Sequence, residues 1–299
     1  MKRRSTFLIV AVLVAAFMLP VSAMAENDPR DAVPAPGGTS LFLFYYRDYT
    51  GSDVYEDGET LDDNADFDLQ VGIFRLAHFW DVGGNWIWSA DVLQPVASMN
   101  FDSDVLFPDN SGANSSGLGD TTIATHINTP FFLDNGKFKL GQSYGLIVTL
   151  PTGDYDSEKA ANIGTNYYTY RLEATPVILM SGPFVFELTG EVNFYSDNDD
   201  YTVANLKQEK DPSYQLQLHA SYSFTDSFLF GISYYYLTGG ETTVAGIEQD
   251  DEPDAQALRF SFGFQLTKNL QMLLQYNTEI ERENGVEQNY LGTRLAYCF

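Results

Sequence analysis

From about residue 39 to the end of the chain, apolar and polar positions alternate with a period of two. That is the pattern of strands with one face in an apolar medium. The last segment shows it plainly: Leu291, Thr293, Leu295, Tyr297 and Phe299 share one face, and Gly292, Arg294, Ala296 and Cys298 share the other. In the tenth segment Leu258, Phe260, Phe262, Phe264 and Leu266 oppose Arg259, Ser261, Gly263 and Gln265. The seventh, eighth and eleventh alternate in the same way. Counting such segments predicts twelve strands, at 39–47, 67–80, 85–98, 118–131, 138–150, 166–180, 184–195, 213–224, 228–237, 255–267, 269–281 and 288–299.

The joins between these segments are short and long in turn. Asp81-Val82-Gly83-Gly84, Asp134-Asn135-Gly136-Lys137, Ser181-Gly182-Pro183, Thr225-Asp226-Ser227 and Thr267-Lys268-Asn269 have hairpin-turn chemistry. The others, at 48–66, 99–117, 151–165, 196–212 and 238–254, are long, and 282–287 is a shorter one on the same side. Short turns on one rim and long loops on the other predict a transmembrane, antiparallel, up-and-down β-barrel with both termini periplasmic. A soluble two-sheet sandwich would alternate as well, but it does not account for the loop asymmetry.

Two strands resist an assignment of faces. The first, Leu41-Phe42-Leu43-Phe44-Tyr45-Tyr46, is apolar on both sides. In the second, Phe67, Leu69, Val71 and Ile73 read as lipid-facing, which carries Arg75 to the lipid face as well. A bulge or snorkelling near the periplasmic rim would resolve that conflict.

The two ends agree with a barrel. Lys2, Arg3 and Arg4 precede an apolar run from Phe7 to Leu19, and Ala23-Met24-Ala25 makes a small-x-small cleavage site. Residues 1–25 therefore read as a cleaved secretory signal peptide, the apolar run being too short for the about 20 residues that span a bilayer. Residues 26–39, with several prolines and glycines and no alternation, read as a periplasmic lead-in to a barrel at 40–299. Leu295, Tyr297 and Phe299 form the terminal aromatic signature through which outer-membrane barrels are taken up by the barrel-assembly machinery. The expected destination is the outer membrane of a Gram-negative cell, with lipid and lipopolysaccharide as surroundings.

Composition narrows this further. The chain holds 16 basic and 41 acidic residues; loss of the leader leaves 13 against 41, a net charge of −28. Nucleic acid is excluded as a partner by that charge. Mean hydropathy is −0.19, yet the chain has 22 Phe and 19 Tyr. Aromatic girdles outside and polar residues inside a barrel reconcile the two. One cysteine and three separated histidines offer no metal site, and no cofactor is expected.

Four local patterns occur in order: Pro29-Arg30-Asp31 with Pro34-Ala35-Pro36-Gly37-Gly38-Thr39, Ser116-Gly117-Leu118-Gly119-Asp120, Leu150-Pro151-Thr152-Gly153-Asp154-Tyr155, and Asn162-Ile163-Gly164-Thr165-Asn166. Their order and spacing resemble the outer-membrane transporter family named for the meta-pathway of phenol degradation. The general plan is also similar to the long-chain fatty-acid transporters, without a counterpart of their N-terminal hatch. The first resemblance implies an outer-membrane barrel associated with the catabolism of aromatic or other hydrophobic compounds.

Two motifs suggest other chemistry. Gly141-Gln142-Ser143-Tyr144-Gly145 matches the G-x-S-x-G nucleophile pattern, but it lies inside an alternating strand rather than on a strand-to-helix turn. The segment from Asp48 to Asp66 holds eight carboxylates, and Asp250, Asp251, Glu252 and Asp254 cluster in another loop. Such loops would bind divalent cations or simply stay solvated and extended, and an acidic mouth disfavours anionic solutes.

The phase of each strand points Asp68, Asp91, Asp120, His126, Arg171, Glu173, Glu187, Glu191, His219, Arg259, Glu279 and Arg294 into the lumen, with Phe74, Tyr167, Tyr195 and Tyr235 as aromatic lining. Inward charges must be paired or wet. They serve either to hold the barrel closed or to line a solute path. Twelve strands lie between the eight that leave room only for side chains and the 16 to 18 of open channels. A narrow pore, blocked by loops or by the segment after the leader, is the expectation. The function expected is passive uptake of small hydrophobic or aromatic molecules. The alternatives are a closed structural or surface-binding barrel and, third, a hydrolase.

Overall fold

The computed structural model describes residues 26–107 and 112–299; the expected signal peptide lies outside the described residues. Twelve strands form one closed antiparallel ring: β1 Ser40–Gly51, β2 Asp66–Asp81, β3 Ile87–Asp102, β4 in two pieces (Ala113–Leu118 and Thr122–Asn128), β5 Lys139–Thr149, β6 Thr169–Ser181, β7 Phe184–Tyr195, β8 Ser213–Thr225, β9 Phe228–Gly239, β10 Ala255–Gln265, β11 Leu270–Arg282 and β12 Asn289–Cys298. The ring closes where β1 meets β12, from Leu41↔Cys298 to Thr50↔Asn289. Closure leaves no edge strand, which a structure in lipid requires.

Outward residues are apolar although exposed, because the medium they meet is hydrocarbon. Leu274, Tyr276, Leu291, Leu295 and Tyr297 all face out, and Phe299 is 63% exposed. Phe224 stacks on Phe228 at 5.5 Å and Trp80 on Trp88 at 4.4 Å beside the short turns, giving an aromatic girdle at that rim. On the opposite rim the long loops build two small sheets. One pairs Val54–Glu56 with Glu59–Asp62 and Gly285–Val286; the other joins Asn198–Tyr201, Leu206–Lys210, Thr242–Val244 and Ile247–Glu248.

Two prolines mark the irregular places in the wall, since proline cannot donate to the ladder. The β6 register slips on both sides around Pro176. β4 breaks opposite Pro95, whose carbonyl accepts from the Gly119 amide at 3.0 Å. The sequence suggests one unbroken strand at 118–131; instead the strand starts earlier and is interrupted at 119–121. At the break Asp120 accepts hydrogen bonds from the Gly153 amide at 2.8 Å, the Thr165 amide at 2.9 Å and the Thr165 hydroxyl at 2.7 Å. Three of the patterns that carry the family resemblance thus meet in one knot on the wall.

The interior has two unlike halves. Against β1, β2 and β3 it is mainly apolar: Leu43, Phe67, Leu69, Val71, Met99 and Phe101 form one cluster with Leu106, Phe107, Ala161 and Ile163 from the loops, and Arg47, Arg75 and Asp91 are the charged exceptions. Against β6 to β12 it is polar and charged, and the segment after residue 25 fills it.

This overturns the sequence-based facing of β2. Leu69 is 1% exposed and points inward with Phe67, Val71 and Ile73, whereas Phe74 is 46% exposed and points out. Asp68 is exposed on the outer face at the long-loop rim, so Asp68 and Phe74 are not luminal. No bulge is involved; the β1–β2 register is continuous from Ser40↔His78 to Gly51↔Phe67. The physical reason is the apolar filling, which leaves hydrophobic side chains stable on either face of this strand. Arg75 then lies inside, where its guanidinium meets Asp91 at 3.0 Å.

Candidate functional site

Residues 26–32 lie inside the barrel. Sequence offered this segment both as a periplasmic lead-in and as a block of the pore; its contacts are with inward side chains of the barrel wall. The chain makes a turn closed by the Asp31 amide on the Asp28 carbonyl at 3.0 Å. Pro29 takes the second position, which suits its fixed φ, and Arg30 the third at φ 76°. A non-glycine residue at such an angle costs roughly 1–2 kcal/mol, and hydrogen bonds hold it there. The Arg30 amide donates to Glu187 at 2.6 Å, its Nε to Ser221 at 2.9 Å, and its Nη2 to the Pro183 carbonyl at 3.2 Å. Glu187 also accepts from the Ala32 amide at 3.1 Å. Gly231 makes room for the turn, because a Cβ there would lie 2.8 Å from Pro29 Cγ.

Asp28 is the centre of this arrangement. It is 0% exposed. Arg294 donates to it at 2.9 Å and to Asp31 at 2.7 Å; Gln275 donates at 2.7 Å, and Arg259 stands 3.4 Å away. Burial pushes the Asp28 carboxyl up from its ordinary pKa, and Arg294 opposes that shift. Arg259 also pairs with Glu26 and lies 4.4 Å over the ring of Tyr235, whose hydroxyl donates to the Asn27 carbonyl at 2.9 Å. Asn27 adds two more contacts, its amide donating to Gln217 at 3.1 Å and its side chain to Glu173 at 3.1 Å.

The residues expected in the lumen fall into groups. Arg259, Arg294, Glu173 and Glu187 grip the segment directly. His126 approaches Glu173 at 3.5 Å, Arg171 approaches Glu191 at 3.3 Å, and His219 bonds Ser233 at 2.8 Å, forming the layer behind. Asp91 serves Arg75. Glu279 sits at the upper rim, where Arg282 Nε donates to it at 2.8 Å. Asp120 is buried in the wall knot rather than in the lumen, and Asp68 lies outside. Of the aromatic candidates, Tyr235 and Tyr167 are buried, and Tyr167 meets Tyr195 edge-on at 5.7 Å. Of the gripped residues, Glu26, Asn27 and Asp28 were not singled out in sequence, and Asp31 stood only in the pattern Pro29-Arg30-Asp31; the signal available was the run of charges around a proline.

The segment divides the interior into two spaces. The upper vestibule, about 90 Å³, has Glu26 at its floor and Tyr49, Tyr195, Tyr235 and Tyr290 in its walls. The lower one, about 330 Å³, is roofed by Pro29, Arg30 and Asp31 and lined by Leu41, Leu43, Phe79 and Leu273 among others.

The glycines of the G-x-S-x-G pattern have a packing role. Gly141 leaves space for the Phe131 ring and Gly145 for the His126 ring, while Ser143 is buried in mid-strand between Asn128 and Thr175. Among the described residues no three acidic, histidine or cysteine side chains converge to hold a metal ion.

A closed, lipid-facing ring with an interior insert defines an outer-membrane β-barrel. The chain belongs to the family described as "Putative MetA-pathway of phenol degradation", whose model matches residues 50–295. A crystal structure of the COG4313 outer membrane channel from Pseudomonas putida F1 is similar, with TM-score 0.84 and 27% identity over 92% of this chain and 100% of that one. The β domain of the Bordetella autotransporter BrkA shares the fold, with TM-score 0.53 and 11% identity over 88% of this chain and 100% of that one. No match was found among curated proteins.

Proposed function

We propose that this protein is a passive outer-membrane channel for small hydrophobic or aromatic molecules, held closed by residues 26–32. The observation that carries the reading is the divided interior. An apolar wall runs beside a charged one, and the removable element between them is a short segment held by side-chain contacts rather than by the barrel ladder. The similarity to a structure titled an outer membrane channel supports it. The lower vestibule supports it as well, being larger than the roughly 150 Å³ that accommodates a benzene in a protein interior. Passage then follows the solute's own gradient, with the apolar wall offering it a surface and the segment deciding whether the path is continuous. The similar structure being a channel and the mid-strand burial of Ser143 favour this over a hydrolase.

The test is uptake of an uncharged single-ring solute into liposomes carrying the mature protein, with and without residues 26–33. The expected result is slow uptake through the intact chain and several-fold faster uptake through the shortened one. No uptake through either would overturn the proposal and leave a closed structural barrel.

A further inference from the structure

We propose that the upper vestibule contains a subsite for small aromatic acids, in which Lys210 receives the acidic oxygen and Tyr195 carries the ring. The proposal rests on the channel reading and adds to it a class of solute.

Three cations line the upper vestibule: Arg171, Lys210 and Arg282. Arg171 is engaged by Glu191 at 3.3 Å and Asn193 at 2.9 Å, and Arg282 by Glu279 at 2.8 Å. Glu26, the acid at the floor, is engaged by Arg259. Lys210 differs from all of these. Among the described residues its ammonium has no carboxylate within ion-pair distance. It ends a short strand, Leu206–Lys210, whose two faces contrast. On the outer face Lys207 holds both Asp197 and Glu209 at 2.8 Å. On the inner face Lys210 stands 5.0 Å from the centroid of the Tyr195 ring. In a chain with 41 acidic and 16 basic residues, an inward lysine with no acid in contact departs from the rule followed by its neighbours; the buried carboxylate of Asp251 is committed to Thr242 and acts on Lys210 only through space. A partly buried ammonium with only a ring face and a distant carboxylate to offset its charge is incompletely compensated, and an anionic solute would supply the missing contact.

A second observation points into the same space. Asn277 Oδ1 is buried, lines the vestibule and has no hydrogen-bond partner among the described residues. It lies opposite Tyr290 on the next strand and presents an acceptor to a hydrogen-bond-donating substituent on the ring of the solute.

The size of the space selects the solute. About 90 Å³ takes a carboxylate or phenolate oxygen and the edge of one ring, the rest of the ring lying against Tyr195. The acidic loops repel anions at a distance, but such repulsion is screened beyond about 8 Å at physiological ionic strength. Close contact with Lys210 decides the matter inside.

The experiment is calorimetric titration of the full mature protein in detergent with benzoate and with benzyl alcohol, its uncharged analogue. Wild type, Lys210→Met and Lys210→Arg are compared, each first shown to be folded by its heat-modified gel mobility. The expected result is that benzoate binds more tightly than benzyl alcohol. Lys210→Met should weaken benzoate at least about tenfold, in line with loss of a charge-assisted hydrogen bond, while Lys210→Arg keeps most of the affinity and benzyl alcohol is unaffected by either change. Equal affinity for the two solutes, unchanged benzoate binding in Lys210→Met, or no benzoate binding would each overturn the proposal. Uptake of an uncharged ring into liposomes, measured in parallel, separates the two ideas. Uptake without Lys210-dependent binding removes the subsite and keeps the channel; Lys210-dependent binding without uptake does the reverse.

Discussion

The two halves of the lumen have the same backbone geometry and opposite chemistry. Along β1 to β3 the inward side chains are mainly apolar, among them Leu43, Phe67, Leu69 and Phe101, with Arg47 and the Arg75–Asp91 pair as charged exceptions, and what packs on the apolar ones is Phe107 and Ile163 from long loops. Along β6 to β12 the inward side chains include Glu187, Arg259 and Arg294, and what packs on them is Glu26 to Ala32. Each wall matches its filling. Hydrophobic packing is non-directional, so the apolar wall tolerates adjustment. The charged wall is specific, because a buried charge must find its partner in place.

That contrast can be broken from either side. The largest effect is expected from Arg294→Ala, which leaves Asp28 and Asp31 without their shared guanidinium. Removing one partner of a buried pair costs about 3–5 kcal/mol. Hydrogen exchange should show the amides of residues 27–32 losing protection while the barrel strands keep theirs. Next is Leu69→Ala on the apolar wall, a cavity worth about 2–5 kcal/mol. It should lower the temperature of heat-modified unfolding without exposing residues 27–32. Gly231→Ala is expected to cost about 1–3 kcal/mol by overpacking, since its methyl would strike Pro29. Its signature is specific to the charged wall: increased single-channel conductance in planar bilayers from a displaced turn. The smallest effect is expected from Asp68→Ala, within about 0.5 kcal/mol, as for an exposed side chain without a buried partner. A large loss of stability there would restore Asp68 to the lumen and undo the inversion of β2.

The ring was legible because alternation, turn chemistry and loop asymmetry are local signals, and the strands fall close to where period two puts them. Phe299 outward and Arg294 inward follow from the last strand alone. The facing of β2 was not legible. Its alternation is clear, but deciding which apolar face meets lipid requires knowing that loop residues such as Phe107 and Ile163 fold in against it. Arg75 was the warning, being a charge on the supposed lipid face. The site was legible in half. Arg259, Arg294, Glu173 and Glu187 could be turned inward by phase. Their partners lie in a segment without periodicity, between 146 and 266 residues away in sequence, and no local pattern reports such pairings. The break in β4 was hidden for a similar reason, because Asp120 finds its donors in loop residues Gly153 and Thr165.

The central claim, that residues 26–32 close the path, is tested most directly by a reversible tether. The Asn27 amide donates to the Gln217 side chain at 3.1 Å, so the two positions face each other; cysteines at both, with Cys298→Ser to remove the native thiol and loss of free thiol confirming closure, tether the segment to the wall. Uptake of an uncharged aromatic solute into liposomes is then measured before and after reduction. The account predicts that uptake is lost in the oxidised protein and returns on reduction; equal uptake in the two states would contradict it.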